Sequence, residues 1–223
     1  MWIRSFLKSS IGGKTAMALT GLALSGFVLA HMAGNLLVFA GPEAFNTYSH
    51  TMQSNKPLLW SLRSGLLFVF TAHVLIALNL ARANKAARPG KYAAQNTIQA
   101  TMASRTMVYT GLLILAYVVY HLLHFTAHLV NETEFIVDAQ GRHDAYAMVV
   151  QGFSQPVIAV AYLLAMACLF THLSHGFSSL WQSLGIRHPK YSFLVKHAGI
   201  LFSVIVVSGF VAVPIAVLMG VVK

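Results

Sequence analysis

Eleven histidines stand in a chain of 223 residues. Seven of them, His31, His73, His121, His124, His128, His172 and His175, fall within or beside long apolar stretches. An ionisable side chain among apolar residues is costly and usually functional. The plain uses of imidazole there are to ligate a metal or to hydrogen-bond between helices. The other four, His50, His143, His188 and His197, lie in connections or at an end, where a solvated surface position explains them. His-x-x-His occurs twice, at His121/His124 and His172/His175. Spacing of three puts both rings on one helix face. A zinc or copper site fits poorly, because no membrane carboxylate or cysteine completes the set. Cys168 is the one cysteine and reads as a small packing residue in an apolar run. A single cysteine also excludes a disulfide framework and an iron–sulfur cluster held by this chain alone.

The elements that must position these histidines are long. Five segments, roughly 16–40, 58–81, 106–129, 152–178 and 198–222, reach the length of about 20 apolar residues that a membrane span needs. Arg63, near the outer end of the second, is the only Lys, Arg, Asp or Glu inside them apart from the final Lys223 beyond the last. Gly41-Pro42, Arg88-Pro89-Gly90 and His188-Pro189 punctuate the connections. Pro156 and Pro214 fall inside spans, where neighbouring helices can re-satisfy the freed carbonyls. The first apolar run exceeds the roughly 7–15 residues of a signal-peptide core, so it reads as a retained span, with residues 2–12 as a short interfacial segment. The fold class is therefore all-α, a five-helix transmembrane bundle forming a single membrane domain, 1–223.

Depth sorts the histidines. Counted from the nearest flank at about 1.5 Å per residue, His31 lies about 25 Å beyond Lys14 and His121 about 24 Å beyond Arg105. His73 lies about 14 Å before Arg82, and His172 about 14 Å before Trp181. One histidine from each of four helices thus makes two pairs at two levels. Paired imidazoles close both axial positions of a haem, and a haem so closed transfers electrons rather than binding O₂. Each ligand's other nitrogen then needs a carbonyl or hydroxyl partner. Gly21, Ser25, Gly26, Gly34 and Gly111 would let a flat macrocycle approach the helices, or simply let the helices pack closely.

Composition agrees. Hydrophobic residues make up 57% of the chain and charged residues 9%, with a mean hydropathy of +0.68. An ordinary soluble domain carries about 25% charged residues, and a nucleic-acid binder of net charge +10 would need far more than these. The charge is also unevenly placed. The N-terminus and the second and fourth connections hold eleven basic residues and no acid, from Arg4, Lys8 and Lys14 through Arg82–Arg105 to Arg187, Lys190 and Lys196. The other side holds Lys56, Arg63, Arg142 and Lys223 with all five acids, Glu43, Glu132, Glu134, Asp138 and Asp144. The positive-inside rule puts the first side, and the N-terminus, in the cytoplasm and the C-terminus outside. Trp2 and Trp181 would mark the inner interface and Trp60 the outer one.

These features resemble the single-polypeptide di-haem cytochrome b anchor of succinate:quinone oxidoreductases, the succinate dehydrogenase and fumarate reductase family. The resemblance rests on Glu43-Ala44-Phe45-Asn46 followed by His50, on His121 ten residues after Gly111, on His172-Leu-Ser-His-Gly176, and on the 42 residues between His31 and His73. It covers nearly the whole chain, with a second outer connection that looks longer and more acidic than in relatives. It implies two haem b groups, His31 and His121 on the distal haem iron and His73 and His172 on the proximal one. It also implies an FAD-containing flavoprotein subunit, an iron–sulfur subunit, a membrane quinone (menaquinone or ubiquinone) and a place in the inner, cytoplasmic membrane. The basic face is where the soluble partners would dock. Candidates for the quinone site are His50, Glu43, His124 and His128 on the outer side, and Ser9, Lys14 and His175 on the inner; the resemblance favours the outer side. Succinate oxidation is the expected direction, with fumarate reduction as its reverse. A haem b subunit of a hydrogenase or formate dehydrogenase, and a metal- or proton-coupled transporter, are the competing readings.

Overall fold

A computed structural model describes residues 9–87, 100–130, 136–186 and 188–223. The expected interfacial segment 2–12 and Trp2 lie largely or wholly outside these. Seven α-helices run through the described residues: α1 Ser10–Leu36, α2 Pro42–Ser54, α3 Lys56–Ala86, α4 Met102–Phe125, α5 Ala145–Ser154, α6 Pro156–Ser183 and α7 Ser192–Leu218. Short 3₁₀ turns, Leu37–Ala40 and Pro189–Tyr191, extend α1 and lead into α7. Helices α1, α3, α4, α6 and α7 are long and apolar enough to cross a membrane. At about 1.5 Å per residue they are roughly 36–46 Å long, against a hydrocarbon core of about 30 Å. The five spans expected from sequence are therefore present.

Local chemistry starts and stops these helices. Ser9 Oγ accepts from the N–H of Gly12 at 3.0 Å, Asn55 Oδ1 from Leu58 at 3.1 Å, and Thr101 Oγ1 from Ser104 at 3.1 Å. Each satisfies a donor that the first helical turn leaves open. Gly41, at φ +93°, turns the chain from α1 into α2, and Pro42 occupies the first position of α2. The start of the fourth span differs from the sequence reading. The fourth span begins at Pro156, not at 152, because Gln155 is extended and breaks α5 from α6. Pro156 thus sits at a helix start, where its missing N–H costs nothing. Among the described residues only Pro214 lies inside a helix, as expected.

Helix α6 is central. It packs on α7 most extensively, then on α4 and α1, while α1 also carries α3 and meets α7. Helices α3 and α4 barely touch, and α3 has no buried residue. Small residues allow the closest approaches: a Cβ on Gly199 of α7 would meet the Ser174 carbonyl of α6 at 2.6 Å, and one on Gly209 would collide with Met32 of α1. Leu67, Phe68, Leu113 and Leu164 point outward, more than half exposed, as lipid-facing side chains must.

At the end where α1 finishes, α2 and α5 form a cap. Val38, Phe45, Val149, Phe153, Ile158, Tyr162, Val213 and Val217 make its apolar core. A polar clasp joins its halves: Asn46 Nδ2 donates to Asp144 Oδ1 at 2.9 Å, and Asn46 Oδ1 accepts from the Tyr146 N–H at 2.9 Å.

Candidate functional site

The four core histidines come from four helices: His31 on α1, His73 on α3, His121 on α4 and His172 on α6. The rings of His31 and His121 face each other with centroids 5.9 Å apart at 78°. Opposed ligation of one metal ion at bonds of about 2.0–2.1 Å would need the two rings slightly further apart than this. Phe27 stacks on His31 at 5.4 Å, and Phe210 lies at 5.8 Å. Tyr117, Phe125 and Tyr162 surround His121 at 5.7–6.0 Å.

The other pair lies toward the opposite end. Thr20 of α1 holds Nδ1 of His73 at 3.0 Å, and Thr110 of α4 holds Nδ1 of His172 at 3.2 Å. His31 and His121 follow these threonines by eleven residues on the same helices, which separates the two levels by about 16 Å along the axis. The threonine contacts put His73 and His172 at the level of Thr20 and Thr110, and His31 and His121 lie about three turns further along the same helices.

The glycines beside the threonines have a stated use. A Cβ on Gly21 would lie 3.5 Å from His73 Cε1, and one on Gly111 would lie 3.3 Å from His172 Cε1. Larger side chains there would crowd the rings. Gly34 instead faces Tyr48 of α2, and a Cβ at Gly26 would meet nothing within 4 Å.

The second members of the His-x-x-His pairs meet other surroundings. His124 is fully buried against the cap. Its Nδ1 lies 3.0 Å from Tyr162 Oη, Phe125 stacks on it at 4.0 Å, and its Nε2 has no hydrogen-bond partner. Tyr162 Oη also lies 3.4 Å from His121 Nδ1, so one hydroxyl stands between the two histidines. His175 is half-buried, one turn from His172.

The remaining quinone-site candidates do not converge. Glu43 is exposed and binds Arg142 at 2.9 Å, while Arg142 also binds Asp138 at 2.7 Å and Thr47 at 2.9 Å. Hydrogen bonds from Arg142 and then Thr47 hold the Glu43 carboxyl below its ordinary range. His50 is exposed on α2. His128, exposed and at φ +53°, lies 5.8 Å ring to ring from His143. Burial holds the His143 imidazole below its usual value, with the charge of His128 adding to it. Ser9 caps α1 and Lys14 is exposed.

Residues 82–212, more than half of the chain, match the family described as succinate dehydrogenase/fumarate reductase transmembrane subunit. The chain belongs to this family. No curated protein and no solved structure gives a significant match. As a succinate dehydrogenase/fumarate reductase transmembrane subunit it is a multi-pass membrane component of an oligomeric oxidoreductase, which separates it from the hydrogenase and transporter readings. The residues present also fit axial haem ligation. The set is nitrogen-only and paired across helices, apolar walls surround it, and glycine faces both inner rings.

Thr20, Thr110 and Tyr162 were not singled out from the sequence. A signal for the threonines exists there: Thr20-Gly21 precedes His31 as Thr110-Gly111 precedes His121, at identical spacing.

Proposed function

We propose that this chain is the haem-b membrane anchor of a succinate dehydrogenase, through which electrons from an iron–sulfur partner reach a membrane quinone. His31 and His121 would hold the outer haem b and His73 and His172 the inner one, within a single membrane domain. A haem with both axial positions closed by imidazole carries single electrons and leaves O₂ no place to bind. The observation that carries the reading is the approach of His31 to His121 from two spans, with His73 and His172 of two others each held by a threonine at a second level, in a chain of this family.

The chain's own residues account for much of what such an anchor requires. Phe27, Phe210, Tyr117 and Phe125 wall the outer pair and exclude water. Thr20 and Thr110 supply the hydroxyl partners that the inner imidazoles need. The basic end, with Arg82, Lys85, Arg105, Lys190 and Lys196, is the proposed cytoplasmic docking face for the iron–sulfur subunit and its FAD-containing flavoprotein partner. The end carrying the cap and the C-terminus then faces outward from the inner, cytoplasmic membrane. The quinone is proposed to react near the outer pair. There His124, buried beside His121 through Tyr162, is the candidate nearest the ligands, ahead of Glu43, His50 and His128.

The test is purification of the complex through a tag on this chain. Succinate should reduce b-type absorption bands and drive reduction of an added quinone, with a flavoprotein and an iron–sulfur protein present in equal amount. Bands that succinate cannot reduce, or a chain purified without a flavoprotein, would refute the assignment. Fumarate reduction is the same complex run in reverse, and comparing the two rates in the same preparation decides the direction.

A further inference from the structure

Each of the two threonine hydroxyls has one hydrogen, and each has a backbone carbonyl one turn back to receive it. Thr20 Oγ1 lies 2.9 Å from the Ala16 carbonyl and 3.1 Å from that of Met17. Thr110 Oγ1 lies 3.1 Å from the Thr106 carbonyl and 3.2 Å from that of Met107. With its hydrogen engaged there, each oxygen can only accept from the imidazole it faces. The partner atom, Nδ1 of His73 or His172, must then carry the ring proton. A neutral imidazole has one proton, so Nε2 of both rings is left as a bare lone pair. Two imidazoles locked in the same tautomer, on different helices, present two equivalent ligand nitrogens.

The construction is made twice from one sequence element. In α1 and in α4, threonine is followed by glycine, and ten residues after the glycine comes a histidine. The threonine holds the histidine of the helix packed against it, α3 for α1 and α6 for α4. The glycine lies against that same ring at Cε1, 3.5 Å and 3.3 Å from a built Cβ. The element's own histidine goes to the other level, where His31 meets His121. Four of the five spans thus form two two-helix units of one design, and the inner site has matched supports on both sides.

We propose that Thr20 and Thr110 are paired positioning residues that fix the tautomer of His73 and His172 and raise their basicity toward the inner haem. This rests on the bis-histidine reading above. An acceptor on the distal ring nitrogen makes the ligating nitrogen a stronger donor, and losing such a partner typically weakens binding about 10–100-fold. A stronger donor favours the oxidised iron, so removing the acceptor should move the inner haem's midpoint potential upward.

The test uses the purified complex carrying Thr20→Val, Thr110→Val or both, with Thr20→Ser and Thr110→Ser as counterparts. Valine keeps the shape and removes the hydroxyl; serine keeps the hydroxyl. The inner haem is identified beforehand as the one lost in His73→Ala. The expected result is an upward shift of the inner potential in both valine variants, larger in the double variant. The inner haem should also be lost about 10–100-fold more readily. The outer potential should not move, and both serine variants should titrate as the unaltered complex does. Valine variants that titrate unchanged, serine variants that shift as far as valine, or equal shifts in both haems would overturn the proposal. A complex that holds no haem before any substitution would overturn the bis-histidine reading itself.

Discussion

His124 and His121 are one turn apart on α4, yet only His121 faces a histidine of another helix. His31→Ala or His121→Ala should therefore remove the outer haem alone, and His73→Ala or His172→Ala the inner haem alone. His124→Ala should keep both. Haem-to-protein ratios of the purified variants check this, and a haem lost with His124 but kept without His121 would reverse the ligand order. Tyr162→Phe should retain both haems and lower the thermal stability of the complex. It leaves a ring nitrogen of buried His124 unpaired, which costs about 1–3 kcal/mol. The four core histidines were legible in the sequence because an imidazole in a run of Leu, Val and Ala has few plain explanations. The threonines were not. A threonine in an apolar helix ordinarily bonds back to its own carbonyls, and these two do that as well as meeting an imidazole, so type and spacing alone look unremarkable.

Helix lengths and the apolar runs were legible, since a membrane span is set by length and hydropathy alone. The cap was not. The apolar residues of 145–154 merge in sequence with the span that follows, and only the extended Gln155 separates α5 from α6. Close packing makes two element-level predictions. Gly111→Val should disturb the inner haem and spare the outer, because a Cβ there already lies 3.3 Å from His172 Cε1; redox difference spectra read both. The second concerns the ion pair between Glu43 of α2 and Arg142 in the connection before α5. The Glu43 carboxyl is held below its ordinary range by Arg142, then Thr47. A lowered folded value means the stabilisation is complete above the unfolded carboxylate value of about 4.3 and is lost as pH falls through the folded value. The ion pair should therefore be intact at neutral pH and weaken progressively as acid takes the pH below the ordinary carboxylate value of about 4.3. Being exposed, it should contribute little to global stability. Hydrogen exchange in α2 should rise in acid, and in Arg142→Gln it should be raised already at neutral pH.

Charge is the property that speaks for the whole molecule. In the sequence, eleven basic residues fall in the N-terminus and the second and fourth connections and all five acids in the others, and among the described residues Lys14, Arg82, Lys85, Arg105, Lys190 and Lys196 stand at one set of span ends and Glu43, Asp138 and Asp144 beyond the other. That asymmetry was fully legible, whereas the packing order was not: no periodicity in these apolar helices marks α6 as central or α3 as peripheral. The proposed inside basic end and outer quinone site would together make electron flow cross the membrane. Each charge moved through 100 mV is worth about 2.3 kcal/mol. Succinate-driven quinone reduction in oriented vesicles should then be faster with the basic side negative, and an uncoupler should slow it. Equal rates would place the quinone on the inner side. The central claim is that four histidines hold two haems, and haem content against protein in the purified complex tests it most directly. Two haem b per chain are expected, falling to one with alanine at any one of His31, His73, His121 or His172. A ratio of one or none in the unaltered complex, or a ratio of two that survives those substitutions, would contradict it.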